Sequence, residues 1–172
     1  QRGLESLLDH LDEPDLVTLR KTDASLVAGM EIPSLDDAQV AIQRVAQRGA
    51  KRVLLRCGRL PTHFYDDEDA SPPDYSVDLY YDGEDIALFE APFLSGLDDF
   101  TGASSGLTLP LLRMMQQDIP LDTALQRAKG RVSEALRAAQ KSSSSVPSQA
   151  FFDALKAHSR TEDLDVDDLI ES

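Results

Sequence analysis

Cysteine is nearly absent from this chain. The single residue, Cys57, rules out an internal disulfide framework and any cysteine-rich zinc site. Histidine is also scarce, and its 3 copies are scattered, which argues against a histidine-built metal cluster, so no metal ligand set is assigned. No apolar run approaches the roughly 20 residues that a membrane helix needs. The opening Gln1-Arg2-Gly3 lacks the basic and apolar regions of a signal peptide. The expectation is therefore a cytoplasmic protein without a membrane partner. Because the sequence opens without methionine, a trimmed product that extends further at its amino side is also expected. Basic residues are in short supply too: 17 Lys and Arg against 31 Asp and Glu give a formal net charge of -14. Such a field repels phosphate backbones, which excludes nucleic acid as a natural partner. Any nucleotide site must be made locally positive.

A length of 172 residues and an apolar share of 41% suit one globular domain followed by a tail. A short amphipathic pattern over Leu4 to Leu11 precedes the β-compatible run Asp15 to Leu19. The spacing then predicts a brief helix from Lys21 to Ala28, closed by Gly29 in a left-handed conformation. Ser34 with Asp37 approximates a capping box for a second helix, which carries an apolar face through Arg48 and ends at Gly49. Arg52 to Arg56 reads as a buried strand. Pro61 to Tyr75 has loop composition, and strands at Ser76 to Tyr81 and Ile86 to Glu90 are joined through Asp82-Gly83 as a β-hairpin. Leu121 to Ala139 has strong helical periodicity, and Lys141 to Ser148 is serine-rich. Ala150 to Ala157 reads as a short helix. The division expected from this pattern is a domain over 1–140, a linker over 141–149, and a short helix with an acidic tail over 150–172.

One segment points to chemistry. Thr101-Gly102-Ala103-Ser104-Ser105-Gly106 lies where a loop becomes a helix, a geometry in which backbone amides converge on an anion with the helix dipole behind them. Phosphate is the natural candidate, because stabilising a phosphoryl group's charge is most of what a phosphotransferase does. Small residues at a helix start also serve simply as a packing device.

The order of elements around this loop resembles the carboxy-terminal half of the ribokinase-like kinases, in the hydroxymethylpyrimidine (phosphomethylpyrimidine) and pyridoxal kinase branch. The pieces that carry the resemblance are Asp15 to Thr18 with Leu26 to Gly29, Arg52 to Arg59, Val77 to Glu84 with Phe89 to Pro92, and Leu121 to Leu125 with Arg127 to Lys129 and Val132. The resemblance implies an α/β, three-layer fold with a mainly parallel sheet, a β-hairpin and flanking helices. It also implies ATP and Mg2+ as cofactors, a role in thiamine biosynthesis, and a small heterocyclic alcohol as phosphoryl acceptor. Family members carry Gly-Ala-Gly-Asp or Gly-Thr-Gly-Cys at the anion hole. Here Thr101, Gly102, Ala103 and Ser104 would hold the ATP phosphates, and Ser105 stands at the catalytic position. A serine hydroxyl cannot accept the substrate proton as a carboxylate would. Asp99, with Asp98 beside it, is a secondary candidate for that role.

The family's Asn and Glu near metal and phosphate correspond here to Arg20 and Asp23. Arg20, Asp23, Arg56 and Gly58 are therefore expected in the phosphate vicinity, with Arg59 a further source of positive charge. Cys57 has a packing role. The family's first half, which supplies most of the acceptor pocket, has no counterpart before Gln1. That absence leads to the expectation of a homodimer, or of a missing amino-terminal half or partner chain. Two functions follow from these departures. One is a hydroxymethylpyrimidine or pyridoxal kinase-like domain, inactive on its own. The other is a degenerate, non-catalytic domain that binds nucleotide or a protein partner.

Overall fold

The computed structural model describes residues 8, 10–60, 75–92, 103–141 and 150–157. The chain divides into two compact units, Gln1–Phe93 and Leu94–Ser172.

The first unit is built on a four-stranded sheet in the order β1-β2-β3-β4. Strand β1 (Val17–Arg20) leads directly into α1 (Lys21–Ala28), and α2 (Leu35–Gln47) follows. The chain then returns through β2 (Val53–Arg59) to β3 (Tyr75–Tyr81) and β4 (Ile86–Pro92). β1 and β2 pair in parallel, with Arg20 opposite Arg56, whereas β2/β3 and β3/β4 are antiparallel. The sheet is thus mixed, and among the described residues the expected parallel pairing is confined to β1 and β2. For β3/β4 the hairpin is the reason, since a tight connection between consecutive strands returns antiparallel, whereas the parallel β1/β2 pair is joined by the crossover through α1 and α2.

Local sequence accounts for the ends of these helices. Gly29 adopts φ 66° and its N–H reaches Ser25 O, so the last turn of α1 is closed by a left-handed residue. Ser34 Oγ accepts from the Asp37 amide at 3.2 Å, and Gly49, with φ 116°, follows the end of α2. Along α2 the buried positions Leu35, Ala38, Ala41, Ile42 and Val45 form one stripe. That stripe shares a core with Val17, Leu19, Val53, Leu55, Val77 and Leu79, the alternate residues on one face of the sheet.

The hairpin loop runs from Asp82 to Asp85 rather than closing on the Asp-Gly pair alone. Only Gly83, at φ 118°, has positive φ. Asp82 Oδ1 accepts from the amides of Glu84 and Asp85, both at 2.8 Å, and Asp82 N–H donates to Asp85 O. The carboxylate therefore organises the turn, as aspartates do when they accept from the backbone two residues on.

In the second unit, α3 (Ala103–Gln116) and α4 (Leu121–Lys141) pack against each other, and residues 150–157 form a further helix, α5. The helix α3 begins four residues ahead of the apolar run that starts at Leu107. Gly106 sits against Phe151 so closely that a Cβ at that position would lie 2.5 Å from the ring. The buried stripe of α4 is rich in small residues, including Ala124, Ala128, Ala135 and Ala139. Among the described residues, no helix is long and apolar enough to cross a membrane. The expected helix over Leu4 to Leu11, the Pro61 to Tyr75 loop and the serine-rich linker lie mostly outside the described residues, as does the acidic tail.

Candidate phosphate site at the ends of β1 and β2

In α/β sheets, ligands gather beyond the carboxyl ends of parallel strands, and here that place is the end of the β1/β2 pair. Four of the expected residues stand there. Arg20 and Arg56 are direct neighbours across the two strands. Because side chains alternate along each strand, both project from the face opposite the core, in line with exposed Thr18 and buried Leu54. Asp23 lies in the first turn of α1, and Gly58 follows two residues after Arg56 on β2.

The two arginines differ in environment. Arg20 is exposed; its Nε donates to Asp23 Oδ2 at 2.9 Å and its Nη2 to Asp23 Oδ1 at 3.4 Å. That hydrogen bond and the carboxylate's charge hold the Arg20 pKa above its ordinary value. Arg56 is half-buried, and its Nε is out of contact with water and has no hydrogen-bond partner. Burial lowers the Arg56 pKa, the Asp78 carboxylate opposes that shift, and the like charge of Arg20 adds to it. A donor buried without a partner costs about 1–3 kcal/mol. An anion placed against Arg56 would satisfy that donor and relieve the repulsion from Arg20.

Backbone geometry around the pair favours the same ligand. The N-cap of α1 is Arg20 itself, with extended φ −78° and ψ 160°, and no side chain caps the helix. The amides of the first turn of α1 are thus served by no capping side chain at the very end of β1. On β2 the register slips between Arg56 and Gly58, a bulge that holds Cys57 in the core at 4% exposure. Gly58 has φ 63° with open space where a Cβ would stand, so its requirement for glycine is conformational rather than steric. Arg59 beyond it is exposed.

Asp78 was not among the residues picked out from sequence. It is buried at 7% exposure on β3, directly opposite Arg56 in the antiparallel register. The available signal was a charged residue between two buried aliphatics, Val77 and Leu79, and its partner becomes visible only once β2 and β3 are aligned.

A magnesium site made by the protein does not fit these residues. Asp23 is engaged by Arg20, and among the described residues no group of three or more His, Cys, Asp or Glu is placed to hold a metal ion. Of the loop expected to form the anion hole, Asp99, Thr101 and Gly102 lie outside the described residues, as does Asp98, while Ala103, Ser104 and Ser105 open the first turn of α3.

Comparison with known proteins gives this arrangement a context. No family model matches the chain. The hydroxymethylpyrimidine/phosphomethylpyrimidine kinase of Aquifex aeolicus is 28% identical over 127 residues, covering 74% of this chain and 45% of that protein. An ADP complex of Bacillus subtilis pyridoxal kinase superposes with a TM-score of 0.64 at 22% identity, over 79% of this chain and 49% of the kinase. A phosphomethylpyrimidine kinase-like protein from Bacteroides thetaiotaomicron superposes with a TM-score of 0.66 at 14% identity, over 83% and 46% of the two chains. The chain therefore spans about half the length of the relatives it matches. Over that shared stretch it has the α/β fold of these kinases.

Proposed function

We propose that this chain supplies the nucleotide side of a hydroxymethylpyrimidine or pyridoxal kinase-like protein, holding the phosphates of ATP or ADP against Arg56 and Arg20. The observation that carries the reading is the Arg56 Nε, buried and without a hydrogen-bond partner, beside a second guanidinium at the end of a parallel strand pair. The Bacillus relative binds ADP, which supports a nucleotide as the anion. In a chain of net charge -14, these two arginines and the α1 amides gather hydrogen-bond donors for an anion, with Asp23 and Asp78 balancing the charge of the guanidinium groups. The acceptor alcohol is held by residues outside the matched stretch, from a further segment or a partner chain.

A second reading is binding without turnover. Ser105 favours it, because a hydroxyl at the position of the family's Asp or Cys lacks a base of suitable pKa. The two readings separate on calorimetric titration of the full chain with ADP and ATP, with and without magnesium, followed by phosphotransfer assays with a pyridoxal-type alcohol. Arg56→Gln is expected to weaken ADP by about tenfold or more, since hydrogen bonds to charged groups are among the stronger ones. Undiminished binding in Arg56→Gln would remove the site from the strand ends. Loss in Gly102→Val would implicate the loop ahead of α3. Phosphotransfer gained in Ser105→Asp favours a decayed kinase; binding without any gain favours the non-catalytic reading.

A further inference from the structure

The charges at the strand ends stand in a row. Arg20 lies opposite Arg56 across β1 and β2, and Arg56 lies opposite Asp78 across β2 and β3. Asp23 joins the outer end through its hydrogen bonds with Arg20. The order is therefore minus, plus, plus, minus, with the two guanidinium groups adjacent and a carboxylate beyond each. The two carboxylates are held differently. Asp78 is buried within the sheet, so it is part of the fold. Arg20 and Asp23 form an exposed i, i+3 pair, with side chains 69% and 38% accessible. A pair of that kind adds little to stability, and its members separate at small cost.

The contact that Asp23 makes is one that a phosphate would make. In a guanidinium, the Nε and Nη2 donors point the same way and form a fork for two oxygens of one oxyanion. Asp23 fills that fork on Arg20, with Oδ2 on Nε at 2.9 Å and Oδ1 on Nη2 at 3.4 Å. On Arg56 the corresponding Nε has no hydrogen-bond partner. One arginine thus has its fork taken by a carboxylate of the chain, and the other has an unsatisfied donor in its own. A ligand shared by both must displace Asp23 from Arg20. A phosphoryl group has the means, because it brings more than one negative charge and meets two cations where Asp23 meets one. A ligand carboxylate has only the single charge that Asp23 already supplies. We infer, resting on the proposed phosphate site at Arg20 and Arg56, that Asp23 is a specificity-determining residue there: an internal competitor that holds Arg20 until an anion of two or more charges engages both arginines. The exchange places the ligand's charge between the two guanidinium groups, where it relieves their mutual repulsion. Asp23 remains in the first turn of α1, where the helix dipole favours a carboxylate.

The test is calorimetric titration of the full chain with pyrophosphate, which carries phosphoryl charge without a nucleoside. Asp23→Asn keeps an oxygen that accepts from Arg20 and removes the charge. Pyrophosphate should bind this variant about two- to fivefold more tightly than the parent, the range expected on releasing an exposed ion pair. The gain should fall away when Arg20→Gln is added, because the competition acts through Arg20, and it should shrink as salt screens the pair. A carboxylate that served only the helix end would lower the thermal midpoint on removal and tighten no ligand. Circular dichroism equal to that of the parent establishes that each variant is folded, and Asp23→Ala repeats the measurement without an accepting oxygen. Equal or weaker binding in both Asp23 variants overturns the inference, since the ligand then uses another edge of Arg20 or depends on Asp23 for its placement. So does an equal gain with and without Arg20, which is the general effect of removing one negative charge. Failure of the underlying site has a different signature: pyrophosphate binding that Arg56→Gln leaves undiminished, or no binding to parent and Asp23→Asn alike, removes site and competition together. Loss in Arg56→Gln with no gain in the Asp23 variants removes the competition alone.

Discussion

The two units of this chain use their apolar residues in different ways. The first unit gathers branched aliphatic side chains from a sheet face and two helices into one cluster, with Ile42, Val45, Val53 and Leu55 all inaccessible. The second is helical among its described residues, and the buried stripe of α4 consists largely of alanines. Branched side chains remove more surface from water per residue, while small ones let helices approach closely but bury less. The difference in construction extends to chemistry. In the first unit, polar groups meet where strands end; in the second, they meet along helix faces.

The largest effect expected from this contrast is in the first core. Ile42→Ala should destabilise the protein by about 2–5 kcal/mol in urea unfolding, because a fully buried branched residue leaves a cavity in a tightly packed cluster. A smaller loss than for Val132→Ala, on the partly alanine-lined face of α4, would reverse the ranking of the two units. Next comes Gly106→Ala, where the new methyl would press on the wholly buried Phe151 ring. The expected cost is about 1–3 kcal/mol, more than the gain from helix propensity.

Gly130→Ala sharpens the point from the other side. Nothing lies within 4 Å of the added Cβ in the middle of α4, so the same substitution should stabilise by about 0.5–1 kcal/mol. Opposite signs for the two glycines, read from paired thermal and urea midpoints, would show that packing against α5 sets the cost at Gly106. If both stabilise, the close contact with Phe151 carries little energy.

The smallest effect concerns the hairpin loop. The amides of Asp85 and Glu84 hold the Asp82 carboxylate below its ordinary pKa of 3.8. A group lowered in the folded state adds stability above its unfolded pKa and loses it as pH falls through the lower, folded value. Unfolding midpoints followed downward from pH 6 should therefore decline less steeply in Asp82→Asn than in the parent. Parallel curves would mean that the turn forms equally well without the charge.

Much of the first unit was legible because its signals act over a few residues. Gly29 closes α1, Ser34 with Asp37 caps α2, and the apolar stripe from Leu35 to Val45 orients it, each through neighbours within about a helical turn. Arg20 and Arg56 were legible as residues of interest through resemblance, but not as neighbours. Their adjacency comes from the β1/β2 register, and the Asp78 carboxylate joins them only through the β2/β3 register. Which strand pairs run parallel became visible for the same reason only in the structure, since strand direction depends on which partner a strand finds.

The sequence by itself thus determined the elements, their caps and the kinship of the fold, because helix ends, alternation and amphipathic stripes are properties of contiguous residues. The tertiary structure decided which charges meet. It left Arg56 Nε buried without a partner and brought Arg113, Arg131 and Lys156 from three helices around one apolar groove. Charges far apart along the chain become neighbours only when strand register and helix packing fix their positions, and it is the distance through space that sets their energy.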